Sequence, residues 1–121
     1  MGGQVEEKMG QKITEIEREA IRDLYTKIKD EFFVDKIILF GSKARGDAEE
    51  YSDVDLLVLT NKEKTRNDRE KLSDIAADIN IDYGVALSCL YFNLSEWELG
   101  DNVNPFLKDN VEKEGIVINV S

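Results

Sequence analysis

Ile37-Ile38-Leu39-Phe40-Gly41-Ser42 and Asp53-Val54-Asp55-Leu56-Leu57-Val58-Leu59 decide how this chain folds. The first stretch drives an apolar run into a Gly-Ser turn, and the second starts a new apolar run from two aspartates spaced two apart. Nothing polar interrupts residues 37–40, which predicts a strand from Lys36 to Phe40 buried on both faces. On the second strand, Asp53 to Thr60, side chains two apart share a face and lie about 6.6 Å apart along it. Asp53 and Asp55 therefore stand together at the strand's start, with Leu57 and Leu59 following on their face and Val54, Leu56 and Val58 on the other. Two carboxylates facing a turn rich in free backbone N–H groups form a candidate site for a metal-bound phosphate.

Moving outward, Thr14-Glu15-Ile16-Glu17 matches a capping box, and apolar residues then recur at three- and four-residue steps through Ile28. This predicts an amphipathic helix ending near Phe32. Ser42 can cap a short helix through Arg45, with Gly46 ending it. Asn67-Asp68-Arg69-Glu70 offers the start of another helix, with Leu72, Ile75, Ala76 and Ile79 as its stripe. A third strand follows over Val85–Phe92, then a Ser95-Glu98 box opening a short helix. Asn104-Pro105 starts a last helix that stops at Gly115, and Ile116–Ile118 forms a short edge strand. Residues 1–12 read as a flexible N-terminal segment and 13–121 as one domain.

Composition narrows the chemistry. The chain has 121 residues, 41% hydrophobic and 35% charged, which suits one domain with a real core and a solvated exterior. No apolar run approaches the roughly 20 residues of a membrane span. The N-terminus lacks the order of a secretory signal, and the single cysteine, Cys89, suits a reducing compartment, so a cytoplasmic location is expected. Cys89 sits in an apolar run and reads as a buried structural thiol. With no histidine, Ser-His-Asp and Cys-His catalysis are excluded along with His-based zinc sites. Any chemistry runs on carboxylates, which favour hard ions such as magnesium. A net charge of −10 opposes direct binding to a nucleic-acid backbone; a magnesium nucleotide or a basic protein partner fits better.

Gly41-Ser42, ten intervening residues, then Asp53-Val54-Asp55 resembles the GS-x10-DxD signature of the polymerase-β-like nucleotidyltransferases. The longer string GSKARGDAEEYSDVDLLV, with NPFLKDNVEKEGIVI near the end, is similar to the minimal nucleotidyltransferase (MNT) family. The resemblance implies an α/β (α+β) fold, a small mixed sheet with helices packed mainly on one face. It implies that Asp53 and Asp55 are catalytic metal ligands for Mg2+, two ions being expected, and that Gly41 and Ser42 hold the β/γ-phosphates. Lys43 or Arg45 would add a charge-assisted phosphate contact, although Arg45 among carboxylates reads equally well as a structural ion pair. The family usually supplies a third carboxylate from the neighbouring strand. Here Val85-Ala86-Leu87-Ser88 contains no acid, and Asp82 is the nearest catalytic candidate, with a plain loop residue as its other reading. Tyr83, Tyr91 and Trp97 are aromatic enough to stack on a base but fit a core equally, and none is assigned to substrate.

The expected function is Mg-dependent transfer of a nucleoside monophosphate, AMP from ATP, to an acceptor hydroxyl. Nothing in the chain resembles an acceptor platform, so the resemblance points to a HEPN-domain toxin partner and an antitoxin role. Alternatives are a nucleotide-binding regulatory protein whose active site is retired, and an aminoglycoside-type nucleotidyltransferase whose acceptor pocket would need a homo-oligomer.

Overall fold

Thr14 opens the first helix as its spacing predicts. Its Oγ1 accepts the Glu17 N–H at 3.1 Å, and the Glu17 carboxylate accepts the Thr14 N–H at 2.9 Å. A computed structural model describes residues 13–49, 52–62, 65–100 and 102–118. The segment 1–12, read as flexible from sequence, lies outside them.

The order is α1 (Glu15–Ile28), β1 (Val34–Phe40), α2 (Gly41–Arg45), β2 (Val54–Thr60), α3 (Arg66–Tyr83), β3 (Leu87–Asn93), α4 (Leu94–Leu99), α5 (Pro105–Glu114) and β4 (Ile116–Val117). The strands form one mixed sheet in the order β3-β2-β1-β4. β1 runs antiparallel to β2 and to β4, while β2 and β3 are parallel. Parallel neighbours need a long crossover, and the 18-residue α3 supplies it.

Strand alternation then divides the core in two. On one face Ile37, Leu39, Val54, Leu56 and Val58 pack with Ala20, Ile21 and Leu24 of α1 and with Leu72 and Ile79 of α3. On the other, Leu57 and Leu59 pack with Trp97 of α4, with Val103 in the loop that follows it, and with Val111 of α5. The two long helices thus lie on one face, as expected, with a smaller helical layer on the other. β2 is the strand buried on both sides: Val54, Leu56, Leu57 and Val58 are all fully enclosed. β1 is enclosed only through Ile37 and Leu39, because Ile38 and Phe40 remain partly open on the smaller face.

Three helix starts differ from their sequence reading. Ser42, read as the cap of the short helix, lies inside α2, which starts at Gly41 after Phe40 with no side-chain cap. The pattern at Asn67 predicts a cap there, but Thr65 caps α3: its Oγ1 accepts the Asp68 N–H and Asp68 accepts the Thr65 N–H, both at 3.1 Å. Asn93, two residues before Ser95, caps α4 in the same manner with Glu96 as its partner. In both of the latter places overlapping box patterns occur in one stretch, and the earlier of the two boxes is used. α1 stops at Ile28 rather than near Phe32, because residues 29–33 form turns that bring the chain round into β1. Thr65→Ala is expected to cost about 1 kcal/mol in urea denaturation, whereas Asn67→Ala should stay within about 0.5 kcal/mol of wild type.

Candidate functional site

The end of β1 and the starts of β2 and β3 meet at one edge of the sheet, and the predicted site residues gather there. Phe40 pairs with Asp55 across the antiparallel ladder, so the turn leaving β1 passes beside the aspartate. Gly41 holds φ at +75°, a left-handed angle that suits glycine. A Cβ at this position would collide with Oδ2 of Asp55 and stand 3.2 Å from its Cγ. The carboxylate therefore lies against bare backbone, and only glycine allows that approach. Ser42 follows in α2, and its carbonyl accepts the N–H groups of Gly46 at 2.9 Å and Asp47 at 3.1 Å, closing the short helix. Just ahead of Asp53, Glu49 and Ser52 bond reciprocally: Ser52 N–H to the Glu49 carbonyl at 3.0 Å, and Glu49 N–H to Ser52 Oγ at 2.9 Å. This local ring aims the chain into β2.

Asp53 is exposed and Asp55 half-buried. Burial raises the Asp55 pKa above its ordinary 3.8, the neighbouring Asp53 charge raises it further, and Arg45 opposes both. The pair is thus a site where negative charge is held at a cost, with only oxygen donors on offer. That donor set fits a hard divalent cation, with Asp53 and Asp55 the residues that would hold it.

The two basic residues of the turn point to different tasks. Arg45 is exposed, its Nε 3.1 Å from Asp47 Oδ2 and its Nη1 3.1 Å from Glu114 Oε2 on α5. Both readings of this arginine therefore have a footing: it is ion-paired, and it lies close enough to Asp55 to act on its charge. Lys43, read from sequence as a phosphate contact, is instead buried, with its Nζ 3.3 Å from Glu17 Oε2 of α1.

Asp82 lies exposed on the last turn of α3, and among the described residues no third acidic or cysteine side chain joins Asp53 and Asp55 in a metal-binding group. The position beside Asp55 on the parallel strand is Ser88. Neighbouring strands run roughly 4.7–4.9 Å apart and paired residues share a face, so Ser88 presents a hydroxyl next to the carboxylate. Sequence shows that this strand lacks an acid; the register that singles out Ser88 needs the sheet.

The remaining candidates are structural. Tyr83 donates to Asp23 at 3.2 Å, Tyr91 to the Leu72 carbonyl at 3.3 Å, and Trp97 is buried against Phe92. Burial pushes the Cys89 thiol up to about 11, which suits a packed thiol and not a nucleophile. No helix among the described residues is long and apolar enough to cross a membrane.

A mixed sheet that sets a Gly-Ser turn against Asp55, with Asp53 two residues before it, suits a nucleotidyltransferase class of site, and comparison with known proteins agrees. Residues 17–118 match the family described as Nucleotidyltransferase domain. Over 106 residues the chain is 33% identical to Putative protein adenylyltransferase MJ0141 of Methanocaldococcus jannaschii, covering 88% of this chain and 98% of that protein. It is 45% identical over 85 residues to Putative protein adenylyltransferase MJ1305 of the same organism, spanning 67% of this chain and 57% of that longer protein. Among solved structures, a putative minimal nucleotidyltransferase superposes with a TM-score of 0.54 at 28% identity, over 83% of this chain and 91% of the other. A toxin-antitoxin crystal structure with AMP-PNP shares the fold, with a TM-score of 0.59 at 17% identity over 86% of this chain and 73% of the other. The chain belongs to the nucleotidyltransferase domain family.

Asp55→Asn tests the electrostatics of the pair. A folded-state pKa above the unfolded one means the folded protein binds the extra proton, so this group's contribution is present below the ordinary carboxylate value and is lost as pH rises through the raised one. At pH 7 the ionised Asp55 is a standing cost. Asp55→Asn should therefore raise the Tm of the free protein at pH 7, by an amount that shrinks as pH falls towards about 4. Paired thermal melts across that range check both sign and trend.

Proposed function

We propose that this nucleotidyltransferase moves AMP from magnesium-bound ATP to a hydroxyl on a partner protein. The carrying observation is Asp55 set against Gly41 of the Gly-Ser turn, with Asp53 close enough to act on its charge. The backbone N–H groups of the turn and the Ser42 hydroxyl bind the triphosphate, and Asp53 and Asp55 hold the cation that travels with it. A magnesium ion so bound supplies Lewis-acid polarisation of phosphorus and neutralises charge developing on the phosphate oxygens. Arg45 is exposed and, among the described residues, ion-paired with Asp47 and Glu114 in solvent, so it can exchange those partners for a phosphate oxygen. In the transfer, the acceptor hydroxyl gives its proton to water and its oxygen bonds to the α-phosphorus as the bond to the β-phosphate bridging oxygen breaks, releasing pyrophosphate.

Adenylyl transfer is favoured by the names of the curated relatives and by the AMP-PNP in one structural neighbour, and a toxin partner by the toxin-antitoxin assemblies among those neighbours. A HEPN-domain protein, with its own hydroxyl as acceptor, is the partner this reading selects. The net charge of −10 suits a basic protein surface better than a nucleic acid.

Co-expression with a HEPN-domain protein, followed by intact mass measurement, should reveal AMP adducts on that protein. Asp53→Ala with Asp55→Ala should abolish both the adducts and Mg-ATP binding measured by calorimetry. Unchanged Mg-ATP binding in the double variant would falsify the site assignment. Ser88→Asp should tighten Mn2+ binding measured by the same method, because it adds a carboxylate beside Asp55; unaltered affinity would show that position 88 does not face the cation.

A further inference from the structure

We infer that Glu17 and Lys43 form a positioning pair that sets the Gly41-Ser42 turn, with the capping carboxylate of α1 serving also as counter-ion to the lysine of α2. Glu17 Oε1 accepts from the Thr14 N–H at 2.9 Å and from Lys43 Nζ at 3.4 Å, while Oε2 lies 3.3 Å from the same Nζ. Their side chains are only 11% and 7% exposed, so neither charge is served mainly by water. One carboxylate thus fixes the start of α1 and holds α2 across 26 residues of sequence.

α2 needs such a hold. Its five residues are far fewer than a helix requires to persist alone, so its placement comes from tertiary contacts. Three consecutive residues provide them in three directions. Lys43 reaches α1 on one face of the sheet, Ala44 enters the core on that face, and Arg45 reaches Glu114 of α5, whose Val111 packs on the opposite face. The two charged ties differ in strength for a physical reason. Exposed pairs are screened by salt and contribute little, whereas a pair shut away from water keeps most of its attraction and is costly to break singly. Arg45 is therefore the releasable tie and Lys43 the permanent one. When Arg45 turns to a phosphate, the Lys43–Glu17 pair keeps the turn in register with Asp55.

This inference rests on the phosphate-binding reading of the turn, and its test separates the two. The double variant Glu17→Gln/Lys43→Met removes both charges while Gln retains the cap on Thr14 and Met retains the length of the lysine stem. Thermal unfolding should stay near wild type, because a buried pair is often replaceable by uncharged side chains of similar volume. Amide hydrogen exchange over residues 41–47 should nevertheless speed up, and the Kd for Mg-ATP should rise roughly tenfold through misplacement of the turn. A folded double variant with wild-type exchange across 41–47 overturns the positioning role. So does a Kd unchanged from a wild type that binds. Should the double variant not fold, native-state exchange of the wild type decides: the amides of Gly46 and Asp47 must open together with the first turn of α1, and a turn that opens independently of α1 overturns the pair. If the wild type binds no Mg-ATP, the phosphate reading falls, and the exchange measurement by itself decides the pair's role.

Discussion

The antiparallel pairing of β1 with β2 is the constraint on which the site depends. It sets Phe40 opposite Asp55, and so delivers Gly41 onto the carboxylate. A slip of one residue would turn every side chain of β2 to the other face, placing the aspartates under α1 and α3 and sending Leu57 and Leu59 away from Trp97. Burial of β2 on both faces forbids that slip, since each alternate residue has its own core to fill. The apolar half of the strand thus enforces the geometry of its polar start.

Charge at the site works against the folded protein and for its chemistry. Asp55 is half-buried beside Asp53, an arrangement that raises its pKa and stores repulsion until a cation arrives. Under the proposed function, binding of a magnesium nucleotide would relieve that repulsion in the same event. The basic residues of the turn divide along lines of solvent access. Buried Lys43 fastens the turn, and exposed Arg45 remains within reach of both its acidic partners and the site. With a hydroxyl at Ser88 beside Asp55, the described part of the chain would offer a cation two carboxylates, and in the proposed function the nucleotide's phosphates would supply further ligands.

Much of the fold was legible because it follows local rules. Strand alternation separated the two core faces of β2, the Thr14 box opened α1, and Asn104-Pro105 opened α5 as proline at the first helical position should. The misplaced caps of α3 and α4 share a cause. Thr65 and Asn67, like Asn93 and Ser95, stand two apart within overlapping capping patterns, and local chemistry rates both members alike. In both places the member nearer the preceding strand is used: Thr65 after β2, and Asn93 as the last residue of β3.

At the site, the order of residues alone determined that Gly41-Ser42 leaves one strand and Asp53-Val54-Asp55 starts another, because a period of two and a turn residue are properties of neighbours in the chain. The absence of histidine likewise confined the chemistry to carboxylates and hard cations. Only the tertiary structure decided which distant residues complete the site. Lys43 could meet a phosphate or an acid from elsewhere until α1 packed on the sheet and set Glu17 beneath it. Ser88 could face Asp55 or pass it by until the register of two parallel strands, joined by an 18-residue helix, put them side by side. Contacts across such separations are fixed by how layers pack and strands align, and no local pattern of residues carries that information.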